Sequence, residues 1–157
     1  LDSEFISELA IAFLNGHQNK KAKLDYYYKL YEEEFSEGDE VKHVFDSVIG
    51  EILQVLPNIK KTRWRNMTDF YTLFLVMAQY NNKVPFSSDI REKLNIVLID
   101  FSNKVTNLQK AIKEDIASDE KDMNIRNYSS GIRASTDLGS RKLRFEALNN
   151  IIKSITV

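Results

Sequence analysis

Two stretches of this chain carry side chains from which chemistry could be built. In residues 128–148, YSSGIRASTDLGSRKLRFEAL, a Ser/Thr/Gly-rich connection that includes Tyr128 and Arg133 runs into a helical pattern. The opening turns of that pattern carry Arg141, Lys142 and Arg144. A helix N-terminus bears partial positive charge, so exposed cations there are unfavourable by roughly 0.3–1 kcal/mol each. An acidic surface of the same chain or an anionic partner has to offset them. Arg141 and Arg144 lie three apart and so share a helical face. Residues 124–157 hold six cations against two acids. Pairing with the acids at 114–122 or 31–40 and contact with phosphate oxygens are both compatible with this pattern. The second stretch, TRWRN, sets Trp64 between Arg63 and Arg65. That combination suits phosphate contact plus stacking; the alternative is a Trp wedged ahead of a buried helix, with the arginine stems lying alongside.

Other constellations are weaker. His17 and His43 fall on different helical segments with no ligand spacing between them, and both read as structural residues. No Gly-x-x-x-x-Gly-Lys phosphate loop occurs, and Gly131 and Gly139 read as turn residues. ASDEKDMN lacks the alternating oxygen ligands and central Gly of a calcium loop. The six acids within residues 31–40 read as a solvated helix end. Tyr26, Tyr27, Tyr28 and Tyr31 have the helical spacing of core packing with hydroxyls at the rim. No catalytic residue, metal or cofactor is expected in this chain.

The elements that must position these groups are helical. Phe5, Leu9, Ala12 and Phe13 line one face of a helix from Asp2 to Asn15, with Gly16 placed to cap it. KKAKLDYYYKLYEEEF forms a second amphipathic pattern. Val41, Phe45, Val48, Ile52, Val55 and Leu56 form a third, stopped by Pro57. MTDFYTLFLVMAQY is apolar all round, which predicts a central buried helix near 67–80. Ser87 or Ser88 caps a long helix carrying Ile90, Leu94, Val97, Leu98, Phe101, Val105, Leu108 and Ile112. Residues 114–136 read as a long polar loop, a length usually associated with function or motion. Leu138, Phe145, Leu148, Ile151, Ile152 and Ile155 mark the last helix. With no credible strand, six or seven helices predict a single all-α bundle over residues 1–157.

The composition is consistent with this. A chain of 157 residues is long enough for one domain that buries roughly 70% of its unfolded surface. Charged residues make up 29%, and the net charge of −1 argues against bulk attraction to nucleic acid, though not against a local patch. The absence of Cys excludes disulfides and thiolate chemistry and suits a reducing, cytoplasmic setting. No apolar run is long enough to span a bilayer, so no membrane partner is expected. The first residue is Leu and the amphipathic pattern is running by Phe5, which leads us to expect a piece of a longer protein.

Three segments, ISELAIAFLNGHQNKKAKLDYYYKLYEEEF, TRWRNMTDFYTLFLVMA and YSSGIRASTDLGSRKLRFEALNNII, together resemble the C-terminal helical half of the GmrSD-type restriction endonuclease family. The resemblance is densest over residues 5–35, 62–78 and 128–152. Members of that family look like prokaryotic phage-defence proteins that hydrolyse nucleotide and cleave modified or foreign DNA. Their ParB/sulfiredoxin-like N-terminal region is marked by Asp-Gly-Gln-Gln-Arg, which is missing here, so that chemistry does not transfer to this chain. The resemblance implies a non-catalytic helical module beside an upstream catalytic domain of the same protein. It places Arg141 and Arg144 on an Arg-x-x-Arg pair and Arg63 in a basic approach to the Asp-Phe-Tyr segment. The expected domain-interface or double-stranded DNA contacts are therefore Arg141, Arg144, Lys142, Arg133, Arg63, Arg65, Trp64 and Tyr128. The competing expectation is a stand-alone helical adapter for protein partners.

Overall fold

The computed structural model describes residues 3–16 and 38–156, and every regular element among them is helical. The described residues hold six α-helices, in chain order α1 (Ser3–Asn15), α2 (Gly38–Val55), α3 (Met67–Ala78), α4 (Ser88–Lys113), α5 (Met123–Ser130) and α6 (Leu138–Thr156). Short 3-10 turns at Ile59–Lys61, Arg63–Arg65 and Asn81–Lys83 connect them. The all-α bundle expected from the hydrophobic periodicity is the architecture found. The tyrosine-rich pattern, His17 and the acids at 31–37 lie outside the described residues, as do the side chains of Asp39 and Glu40.

Local chemistry sets most of the boundaries. Gly16 ends α1 at φ +82, and its N–H donates to the Ala12 carbonyl at 2.9 Å, a left-handed cap that only Gly adopts without strain. The α2 helix stops just before Pro57, and Ser87 caps α4 by accepting from the Ile90 N–H at 3.2 Å. Residues 69–78 of α3 are all buried, which makes this the central helix, packed by α1, α2 and α6. On α4, Leu94, Leu98, Phe101 and Val105 form the buried stripe. Ile112 is 60% exposed because the last turns of the helix run past the core.

Residues 114–136 are not one loop. Met123–Ser130 form α5, with Asp122 as N-cap accepting from the Asn124 N–H at 2.8 Å. Ile125 and Tyr128, three apart, supply the buried face; two apolar positions are too few to show a period in the sequence. Gly131 closes that helix, whereas Gly139 lies in the first turn of α6 rather than in a turn. Among the described residues no helix is long and apolar enough to cross a membrane.

Candidate nucleic-acid interface

The Arg-x-x-Arg pair on α6 does not face solvent. Arg141 is 4% exposed and Arg144 is 1% exposed, so neither can lie against a DNA backbone in this fold. Arg141 donates to the Glu8 carboxylate on α1, and its guanidinium carbon sits 4.4 Å from the centre of the Tyr71 ring. Arg144 donates through Nε to Thr72 Oγ1 at 3.1 Å, through Nη1 to the Gly131 carbonyl and through Nη2 to the Ser135 carbonyl at 2.9 Å. This one side chain therefore ties α6 to α3 and to the turn that follows α5. A Cβ at Gly131 would come within 2.8 Å of both Arg144 Cγ and the Ser140 carbonyl, so glycine is needed for the close approach. Arg141 is met by the Glu8 carboxylate, and Arg144 by neutral oxygens with the Asp69 charge close by.

Asp69 on α3 is the second buried carboxylate of this region, at 2% exposure. It accepts from the Tyr128 hydroxyl at 2.7 Å, and its Oδ2 lies 3.1 Å from Arg63 Nε. Burial, reinforced by the adjacent Asp69 charge, pushes the Tyr128 phenol well above its ordinary pKa. Tyr71 is pushed up to about 12, by burial first, with Arg141 opposing the shift. Burial also lowers the Arg144 pKa from its ordinary value.

A different surface gathers exposed cations. The turns at 59–65 meet α4 across a cleft of about 490 Å³ whose walls include Lys60, Lys61, Arg63 and Arg65. Thr62, Asn66, Asn103 and Thr106 add hydroxyls and amides, and no carboxylate lines the wall. Lys60, Lys61 and Arg65 are exposed, while Arg63 is held, with Nη1 donating to Thr106 Oγ1 at 3.4 Å and Nε beside Asp69. Trp64 dictates this arrangement. It is 1% exposed, its Nε1 donates to the Leu98 carbonyl at 3.0 Å, and its ring stacks on Phe101 with centroids 6.3 Å apart. Thr62 Oγ1 accepts from the Trp64 N–H at 3.2 Å and fixes the tight turn. With the indole drawn inward, the arginines on either side are left along the cleft.

The expected contact residues thus divide. Arg63 and Arg65 share the cleft, and Trp64 lies beneath it as core rather than as a stacking surface. Arg141, Arg144 and Tyr128 are interior. Tyr128 meets both Trp64 and Phe101 edge-on. Lys142 is exposed beside an apolar groove lined by Phe13, Leu75 and Phe145, and Arg133 is exposed on the turn after α5. They do not form one basic face.

Lys60 and Lys61 directly precede TRWRN in the sequence, whereas nothing local marks Asn103 and Thr106, which α4 brings in from about forty residues away. Asp69 carried its own signal, because a carboxylate within an otherwise apolar helix requires a buried partner. Among the described residues no group of three or more His, Asp or Glu could hold a metal ion, and His43 is exposed on α2. No family model matches the chain, and neither a curated protein nor a solved structure matches it.

Proposed function

We propose that this chain is the non-catalytic helical module of a prokaryotic DNA restriction or defence protein, supporting a nucleotide-hydrolysing nuclease domain and touching DNA phosphates through the 60–65 cleft. The observation that carries the reading is the convergence of Lys60, Lys61, Arg63 and Arg65 on one cleft without a carboxylate in its wall. The resemblance of residues 5–35, 62–78 and 128–152 to the restriction family supplies the biological setting. With Trp64 buried, the cleft offers no aromatic platform for unstacked bases. Its amides, hydroxyls and cations suit the backbone of a duplex read without regard to sequence.

Arg63 is already engaged by Asp69, so Lys60, Lys61 and Arg65 are the residues available to about three phosphates. Three contacts give a salt slope near −2.7, a loss of about 40-fold in affinity between 50 and 200 mM salt. Fluorescence anisotropy with a short labelled duplex measures this directly. Lys60→Ala, Lys61→Ala and Arg65→Ala together should abolish most of the binding and flatten the slope. Binding that ignores both salt and these substitutions would overturn the DNA role. Capture of a protein partner with no duplex binding at low salt would favour the adapter instead.

A further inference from the structure

The four cations of the 60–65 cleft are not equivalent. Among the described residues, Lys60, Lys61 and Arg65 have no carboxylate within ion-pair distance, whereas Arg63 Nε lies 3.1 Å from Asp69 Oδ2. The Asp69 carboxylate is also held from other sides. The Tyr128 hydroxyl donates to Oδ1 at 2.7 Å, and Asn66 Nδ2 donates to Oδ2 at 3.4 Å. Arg63 in turn lines the cleft, with 16% of its side chain exposed. A guanidinium carries five N–H donors. Arg63 Nη1 reaches Thr106 Oγ1, and Nη2 makes no hydrogen bond with the described residues.

Arg63 therefore has donors left for a phosphate oxygen, but its charge is already matched. A carboxylate this close cancels most of the pull of the guanidinium on a polyanion and repels a phosphate that approaches it. We propose that Asp69 is an internal competitor for phosphate at this cleft: its carboxylate occupies Arg63, withholds a fourth phosphate contact and so limits the affinity of the cleft for a duplex backbone. The inference rests on the reading of the cleft as a DNA-backbone surface and adds a built-in limit to it. The Asp69 charge also acts on Arg144, but that guanidinium is 1% exposed and does not line the cleft. Of these two arginines, Arg63 is the one that neutralising Asp69 would release toward DNA.

The test is fluorescence anisotropy of a short labelled duplex with the full chain, at salt concentrations from about 50 to 200 mM. Asp69→Asn keeps the shape of the side chain and an acceptor for Tyr128 while removing the charge. It should tighten binding about tenfold at the lowest salt and steepen the salt slope from about −2.7 to about −3.6. A damaged fold would weaken binding, so a gain separates competition from structural support. Asp69→Ser, which also offers Tyr128 an acceptor, is the second variant should Asp69→Asn fail to fold. Adding Arg63→Gln to either variant should remove the gain. Asp89→Asn removes an exposed carboxylate from the first turn of α4, far along the helix from Asn103 and Thr106, and should leave the slope unchanged. If the unsubstituted chain binds duplex with the expected slope and the Asp69 variants bind no better, the proposal is overturned while the reading of the cleft stands. A gain that persists without Arg63, or that Asp89→Asn reproduces, would overturn it as well. If the unsubstituted chain binds no duplex at low salt, the reading of the cleft fails and the proposal falls with it.

Discussion

The cations of α6 and those of the 59–65 turns are chemically alike and end in opposite environments. Arg141 and Arg144 fall in register with Ala147, Leu148, Ile152 and Thr156, the buried face of α6. They continue an apolar stripe, so the helix carries them inward, where Glu8 and a ring of oxygens receive them. Lys60, Lys61, Arg63 and Arg65 sit on 3-10 turns with no long stripe, on either side of the buried Trp64. There the buried indole leaves its charged neighbours at the rim. The comparison teaches that a cation's position relative to the buried register, more than local charge density, decides whether it clamps the interior or meets a partner.

The largest effect that could break this comparison is at Arg144. Arg144→Ala leaves the Gly131 and Ser135 carbonyls and the Thr72 hydroxyl without their donor, and should cost about 3–5 kcal/mol of stability in urea unfolding. A stable, folded Arg144→Ala protein that had lost only DNA binding would show the inward assignment to be mistaken.

Alkaline pH probes the same region with a smaller effect. Both phenols have folded pKa values above the ordinary 10: Tyr71 at about 12 and Tyr128 well above its usual range. Their contribution is fully present below pH 10. It is lost as pH rises from there through the folded values, because the unfolded chain releases protons that the folded chain retains. Each phenol contributes a slope of at most about 1.4 kcal/mol per pH unit. Tyr128→Phe should cost about 1–2 kcal/mol at neutral pH by removing the hydrogen bond to Asp69, and should also reduce the alkaline slope. Urea midpoints from pH 8 to 12, for both proteins, check the cost and the slope together.

The smallest effect sharpens the other side. The triple cleft variant should leave stability unchanged within about 0.5 kcal/mol, because its side chains are exposed and none donates to a buried acceptor. A large loss of stability would place these cations with the clamps.

How much of this was legible follows from the range of each interaction. Helix α1 and its Gly16 cap, the Pro57 stop, the Ser87 cap and the apolar α3 are local patterns within a few residues, and all could be read from the chain. The α5 helix could not, since its burial depends on α4 and α6 accepting Ile125 and Tyr128. The cleft was half visible as a run of basic residues, but its far wall, Asn103 and Thr106, comes from a helix distant in sequence. The Arg141–Glu8 pair joins residues 133 positions apart, and nothing in either neighbourhood names the other.

By itself, then, the sequence determined the helical class, most helix boundaries and a central helix near 67–80, because hydrophobic period, caps and breakers act over one or two turns. Tertiary structure alone decided which cations are interior and which face solvent. A charged side chain takes its role from its distance to water and to an opposite charge, and the packing of separate helices sets both distances.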